Sequence, residues 1–208
     1  MKVIDAGCHV GYYSLLAARQ VGPTGTVYAF EPEPGNHELL LRNIDLNGYT
    51  NIVPVKKALS NEVGWRTLFL TGLDNGRHST YHHGLPERGS VEVESTTIDA
   101  FLEKQGWPKI DLVKADVEGS ERDLLEGMSQ LMGKSPELTL VIEFSPLLLG
   151  NAGADPLQFL GHLTAHNFRL HRIGEKKEPS HLAEPEWPQL VNELLKNESS
   201  VNLYCSRP

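Results

Sequence analysis

Two rhythms of apolar and polar positions take turns along this chain. Short apolar runs rich in β-branched and aromatic residues mark strands at 3–5, 26–31 (Thr-Val-Tyr-Ala-Phe-Glu), 52–55, 110–116, 138–144, 168–173 and 201–205. Between them, apolar residues recur at helical spacing. Tyr13, Leu16 and Ala17 fall within 10–20, stopped by Gly22-Pro23; Leu39, Leu40 and Ile44 fall within 34–46, ended by Asn47-Gly48. Further helices are expected at 120–128, 156–164 and 190–195. Strand followed by helix, repeated, predicts an α/β fold with a mainly parallel sheet and helices on both faces. The rhythm breaks once. Segments 64–71 and 90–97 alternate like antiparallel strands, joined by a His- and Gly-rich loop over 72–89. This predicts a β-hairpin-like insertion at about 64–97 within a single domain spanning 1–208.

Composition narrows the partners. A chain of 208 residues buries roughly 70% of its unfolded surface and folds without disulfides or structural metal. Basic residues number 19 and acidic ones 27, for a net charge of -8, and no Lys/Arg run offers a footprint for nucleic acid. Cys8 and Cys205 form no Cys-x-x-Cys pair, which fits a reducing compartment. The longest apolar run, 138–144, is interrupted by Thr139 and Glu143, so no membrane span is expected. The first residues lack the apolar segment of a signal peptide, and the expected location is cytoplasmic. The first strand starts at residue 2, which points to a segment upstream of it.

The strongest local signal is Asp5-Ala6-Gly7-Cys8-His9-Val10-Gly11, between a strand and a helix. Glycines at 7 and 11 allow a tight turn and a close ligand approach, and the helix start offers free N–H groups. A pyrophosphate cradle wants Gly-x-Gly-x-x-Gly, and His9 breaks it. Asp5 would repel a phosphate and suits an ammonium. Glu31 ends the second strand, where a carboxylate accepts both hydroxyls of an adenosine ribose. A bare turn and a solvated strand end are the alternatives for these residues taken singly. Taken together they describe a ligand carrying adenosine and a cation, and S-adenosylmethionine has both.

Three segments resemble the FkbM-type S-adenosylmethionine-dependent methyltransferases. They are 3–14 (Val-Ile-Asp-Ala-Gly-Cys-His-Val-Gly-Tyr-Tyr-Ser), 27–32 (Val-Tyr-Ala-Phe-Glu-Pro) and 110–121, with its Lys-x-Asp-x-Glu-Gly-x-Glu run. Leu124-Leu125-Glu126-Gly127 and Val141-Ile142-Glu143-Phe144 continue the likeness. His9 stands where the family more often has Asn, and the segment that precedes the first strand in relatives is absent here. The resemblance implies a Rossmann-like, seven-stranded methyltransferase sheet with its last strand antiparallel. It also implies methyl transfer to a hydroxyl of a small molecule, sugar or natural product.

On this reading Asp5 anchors the turn and helps hold the methionine ammonium, while Gly7 and Gly11 admit the cofactor. His9, Tyr13 and Ser14 line the helix start near the methionine carboxylate. Glu31 grips the ribose, Pro32 shapes the adenine edge, and Ala58 is an adenine contact by position. Asp116 and Glu118, at the carboxyl end of the fourth long strand, flank the cofactor and the transferred methyl; either is a candidate base, as are the loop histidines. Glu121 reads as an ordinary first-turn acid rather than a site residue. The loop residues His78, Tyr81, His82 and His83 are the candidate acceptor contacts, and Glu143 faces the acceptor or a polar network. His78 and His82 lack a neighbouring carboxylate, so neither a metal there nor a magnesium requirement is expected. Trp65, Trp107 and Trp187 read as packing residues. Amine methylation, a nicotinamide-dependent oxidoreductase and a non-catalytic binding protein remain as alternatives.

Overall fold

A computed structural model describes residues 1–72, 76–82, 84, 86–174 and 178–208. Its main sheet contains β1 (Lys2–Ala6), β2 (Thr26–Phe30), β3 (Ile52–Val55), β7 (Leu112–Ala115), β8 (Thr139–Phe144), β9 (Arg169–Ile173), β10 (Ser180–His181) and β11 (Val201–Ser206). The order is β10-β9-β11-β8-β7-β1-β2-β3. Parallel pairing joins β3, β2, β1, β7 and β8, whereas β11 runs antiparallel to both β8 and β9. The last strand is therefore reversed, as expected. The sheet has eight strands rather than seven, because the two-residue β10 adds to the edge of β9 through Ser180 and His181.

β1 and β2 are buried on both faces, and each face meets its own helices. Val3, Val27, Ala29 and Ile52 pack with Ala18 of α1 (Tyr12–Val21) and Leu40 of α2 (Pro34–Asn47). Ile4, Ala6, Tyr28, Phe30, Val113, Ala115, Leu140, Ile142 and Leu203 face the opposite side. There they meet α3 (Ile98–Lys104), α4 (Glu121–Glu126), α5 (Ser129–Lys134), α6 (Pro146–Asn151), α7 (Pro156–Ala165) and α8 (Trp187–Lys196). Of these, α3, α5 and α6 lie outside the elements expected from periodicity. Each is a short segment whose start is fixed by a side-chain acceptor: Thr97 for α3, Ser145 for α6 and, from another helix, Asp99 for α5.

The insertion is a second sheet. The long strands β5 (Gly64–Thr71) and β6 (Glu87–Thr96) pair antiparallel, and β4 (Ala58–Leu59) adds in parallel to β6. Trp187 is buried and Trp107 half-buried, with the Lys134 ammonium 3.5 Å from its ring centroid. Trp65 corrects the packing expectation, since it lies 66% exposed on the outer side of this small sheet. Among the described residues no helix is long and apolar enough to cross a membrane.

Candidate functional site

The parallel strands β1, β2 and β7 present their carboxyl ends side by side, and the loops leaving them form one cleft. Its lining includes Gly7 and His9 after β1, Glu31 and Pro32 after β2, and Asp116 and Glu118 after β7. The insertion supplies the opposite wall through Ala58, Leu59, Gly76, His78 and Thr80.

The turn after β1 is held by the sheet itself. The N–H groups of Gly7 and Cys8 both donate to the carbonyl of Phe30, at 3.1 and 2.9 Å. Gly7 and Gly11 have φ of 70° and 93°, in the left-handed region. A Cβ on Gly7 would overlap the Asp116 carbonyl, and one on Gly11 would overlap the Leu40 side chain. The absent side chains thus make room for the Asp116 carbonyl, just past β7, and for Leu40 of α2. His9 also takes a positive φ, 52°, and its Nε2 is buried without a hydrogen-bond partner.

Glu31 is the most closely held carboxylate in the cleft. It is 6% exposed; Oε2 accepts from the His9 N–H and Oε1 from the Glu33 N–H, both at 2.9 Å. Burial pushes its pKa up to about 7 against the pull of those two donors. The Asn36 side chain is a third donor to this carboxylate, which leaves part of its acceptor capacity for a ligand.

Asp5 is sealed beneath the turn at 1% exposure. Its Oδ2 accepts from the Ser14 hydroxyl at 2.6 Å, and Oδ1 lies 3.6 Å from the Lys114 ammonium. Burial raises the Asp5 pKa, opposed by Lys114 and Ser14. Ser14 is fully buried and spends its hydroxyl on Asp5, which corrects the expectation that it lines the cleft. Tyr13 is 55% exposed, with the Lys114 ammonium 5.3 Å from its ring centroid.

Lys114 is the residue of this site that sequence reasoning passed over, although it opens the Lys-x-Asp-x-Glu-Gly run. Its ammonium lies 3.6 Å from Asp5, 3.5 Å from Asp116 and 3.4 Å from the Gly7 carbonyl. Burial disfavours its charge, but the two aspartates outweigh that and raise its pKa. The signal that could have found it is strand alternation: in the β1–β7 register Asp5 is opposite Lys114.

Asp116, Glu118 and Glu143 bring carboxylate oxygens within 4.8 Å of one another. Sequence spacing had offered no oxygen-rich cluster; β7–β8 pairing, which sets Ala115 opposite Ile142, assembles one. Burial, then the charges of Glu143, Asp116 and Glu121, push the Glu118 pKa up to about 8, with Arg77 opposing. Burial also raises Glu143, whose Oε1 accepts from the Ser200 hydroxyl at 2.7 Å. Glu121 folds back so that Oε1 accepts from the Val117 N–H at 3.0 Å, and burial lifts its pKa to about 8.

The candidate acceptor contacts separate. His78 lines the cleft, and its Nδ1 accepts from the Thr71 N–H at 3.2 Å. Tyr81 instead donates its hydroxyl to Asp123 at 2.8 Å. His82 stacks on Phe69 at 3.8 Å between centroids, and its Nδ1 meets Glu87 at 2.6 Å; its side chain is 69% exposed. Neither ring reaches the cleft, because each is committed to a neighbour outside it. His83 lies outside the described residues.

Residues 5–170 match the model of the methyltransferase FkbM domain. Methyltransferase sdnD of Sordaria araneosa is 29% identical over 62% of this chain and 60% of its own length. The hexuronic acid methyltransferase AglP of Haloferax volcanii is 28% identical over 62% of this chain and 50% of its own. The chain thus spans about half to three-fifths of the length of these curated relatives. Among solved structures, the precorrin-6y C5,15-methyltransferase of Geobacter metallireducens superposes with a TM-score of 0.52 at 12% identity, covering 99% of this chain and 79% of that one. A Streptococcus mutans protein in complex with SAH gives 0.53 at 10% identity, covering 100% and 88%. These likenesses agree on the Rossmann-like sheet, and the sequence match over most of its length makes this chain a member of the FkbM methyltransferase family.

Proposed function

We propose that this chain, with 1–208 acting as one unit, binds S-adenosylmethionine in the cleft and transfers its methyl group to a hydroxyl of a small-molecule or carbohydrate acceptor. The observation that carries the reading is the shared cleft: Glu31, His9, Asp116 and Glu118 come from three strand ends yet line one space. The residues fit such a ligand. Glu31 keeps acceptor capacity for a ribose hydroxyl beside its His9, Glu33 and Asn36 donors, and the unpartnered Nε2 of His9 offers one more hydrogen bond. Pro32 and Ala58 border the adenine end, while Gly7, Tyr13 and Lys114 border the methionine end. Asp5 acts from below, through Lys114 and the start of α1.

S-adenosylmethionine supplies an electrophilic methyl on a sulfonium. Asp116 and Glu118 stand beside the acceptor, with Glu143 behind them and His78 on the insertion side. Glu118 would take the proton of the acceptor hydroxyl as its oxygen accepts the methyl that the bound sulfonium would supply. Since Glu118 has a pKa of about 8, its base form grows as pH rises through that value. The hexuronic acid specificity of AglP makes uronic acids and neutral sugars the first acceptors to try. Methyl-labelled S-adenosylmethionine incubated with the protein and such a panel should label a sugar oxygen. Label appearing only on amines would replace hydroxyl transfer with amine transfer. Binding of NAD in preference to S-adenosylhomocysteine would overturn the reading altogether.

A further inference from the structure

Three consecutive residues of the insertion grip the turn that carries Glu118. The Ser79 hydroxyl donates to the Glu118 carbonyl at 2.6 Å, Thr80 Oγ1 meets Ser120 Oγ at 2.7 Å, and the Tyr81 hydroxyl donates to Asp123 at 2.8 Å. Ser79 is 1% exposed and is itself fixed, bridging to Phe69 of β5 through both backbone groups and accepting from the Tyr81 N–H. Asp123 is buried and also meets Arg66 of β5 at 3.8 Å and Arg122 at 3.3 Å, so the strap ends on a charged anchor.

The turn needs such a hold. Glu118 has φ 51° and Gly119 φ 96°, so a non-glycine residue sits in the left-handed region where the candidate base is displayed. The hydrogen bond from Ser79 falls on the carbonyl of that same residue. The same segment also faces the cleft: Gly76, His78 and Thr80 line it together with Glu31 and Pro32.

We infer that Ser79, Thr80 and Tyr81 are positioning residues that hold the Glu118 turn and tie its placement to the seating of the insertion over the cleft. The inference rests on the reading of Glu118 given above for its purpose. The strap itself is testable without any ligand. Loss of a neutral hydrogen bond, as at Ser79 or Thr80, changes a local opening equilibrium by about fivefold, and loss of the Tyr81 bond to a carboxylate by about tenfold or more.

Hydrogen exchange followed by mass spectrometry on the full chain gives the test. In Ser79→Ala, Thr80→Val and Tyr81→Phe, amides 117–121 should exchange at least about fivefold faster, with β1 and β2 unchanged. Thr80→Ser keeps the hydroxyl and should restore the native rate, which a loss of packing alone would not allow. In the native chain S-adenosylhomocysteine should slow 76–82 and 117–121 together; in S79A/Y81F it should slow 76–82 alone. Unchanged exchange at 117–121 in Y81F, which removes only the hydroxyl, overturns the inference, as does equal acceleration in T80S. If the native chain fails to bind S-adenosylhomocysteine, the proposed function falls, while the ligand-free rates still decide the strap.

Discussion

Glu31 gives the sharpest handle on the cleft. Glutamine at this position removes the charge and has one carbonyl oxygen where the carboxylate offers two. The His9 and Glu33 N–H groups, both now satisfied at 2.9 Å, would then face one acceptor and one donor. If the ribose hydroxyls donate to the carboxylate, losing those charge-assisted bonds costs about 1.5–3 kcal/mol, or about 10- to 150-fold in affinity for S-adenosylhomocysteine. A second signature follows from the pKa of about 7 in the free protein. Ribose donors favour the charged form, so binding lowers that pKa and releases a proton when the free carboxyl is protonated. Affinity should therefore fall as pH drops below about 7, approaching tenfold per unit, and level off above about 8. Calorimetry in two buffers of different ionisation heat reads both the affinity and the proton released. E31Q should bind weakly with that slope flattened. Affinity within about twofold of native, or an unaltered slope, would refute the ribose assignment.

Gly7→Ala combines a left-handed φ with an overlap on the Asp116 carbonyl and should cost about 2–5 kcal/mol in a urea melt. Gly48→Ala, at a left-handed φ of 67° in open space, should cost only about 1–2 kcal/mol, so equal losses would remove the packing argument. Glu121 is 1% exposed and its pKa is raised from 4.5 to about 8, so its burden appears as pH rises past 4.5 and is complete above 8. Glu121→Gln should raise Tm at alkaline pH, worth up to about 5 kcal/mol, and change little at acid pH; a gain at acid pH alone would contradict the sign. Lys114 already sets a cation 3.5 Å from Asp116, so EDTA should leave transfer intact. Activity lost to EDTA and restored by magnesium would make Asp116, Glu118 and Glu143 a metal site.

Legibility followed locality. The turn at 5–11 was readable because its glycines, its acid and the helix start lie within one short window, and β3 fell at 52–55 as the apolar run indicated. The purpose of Gly7 was not readable, since its close neighbour is the Asp116 carbonyl, far along the chain. The same holds for α5, whose first N–H groups are accepted by Asp99 from α3. Helical periodicity does not reveal a six-residue helix capped from elsewhere. The carboxylate cluster depends on strand pairing that carries Glu143 to Glu118. Tyr81 and His82 show the limit of reading chemistry from side-chain type. Both looked like ligand contacts in a loop, and both are bound to Asp123 and Glu87 in the folded chain.

A crystal structure of the chain with S-adenosylhomocysteine bears on the whole argument at once. The ribose hydroxyls should lie on Glu31 Oε1 and Oε2, with the adenine between Pro32 and Ala58 and the sulfur toward Asp116 and Glu118. A ligand seated instead in the groove beside Tyr13, Leu16 and Ile173, with Glu31 untouched, would contradict it.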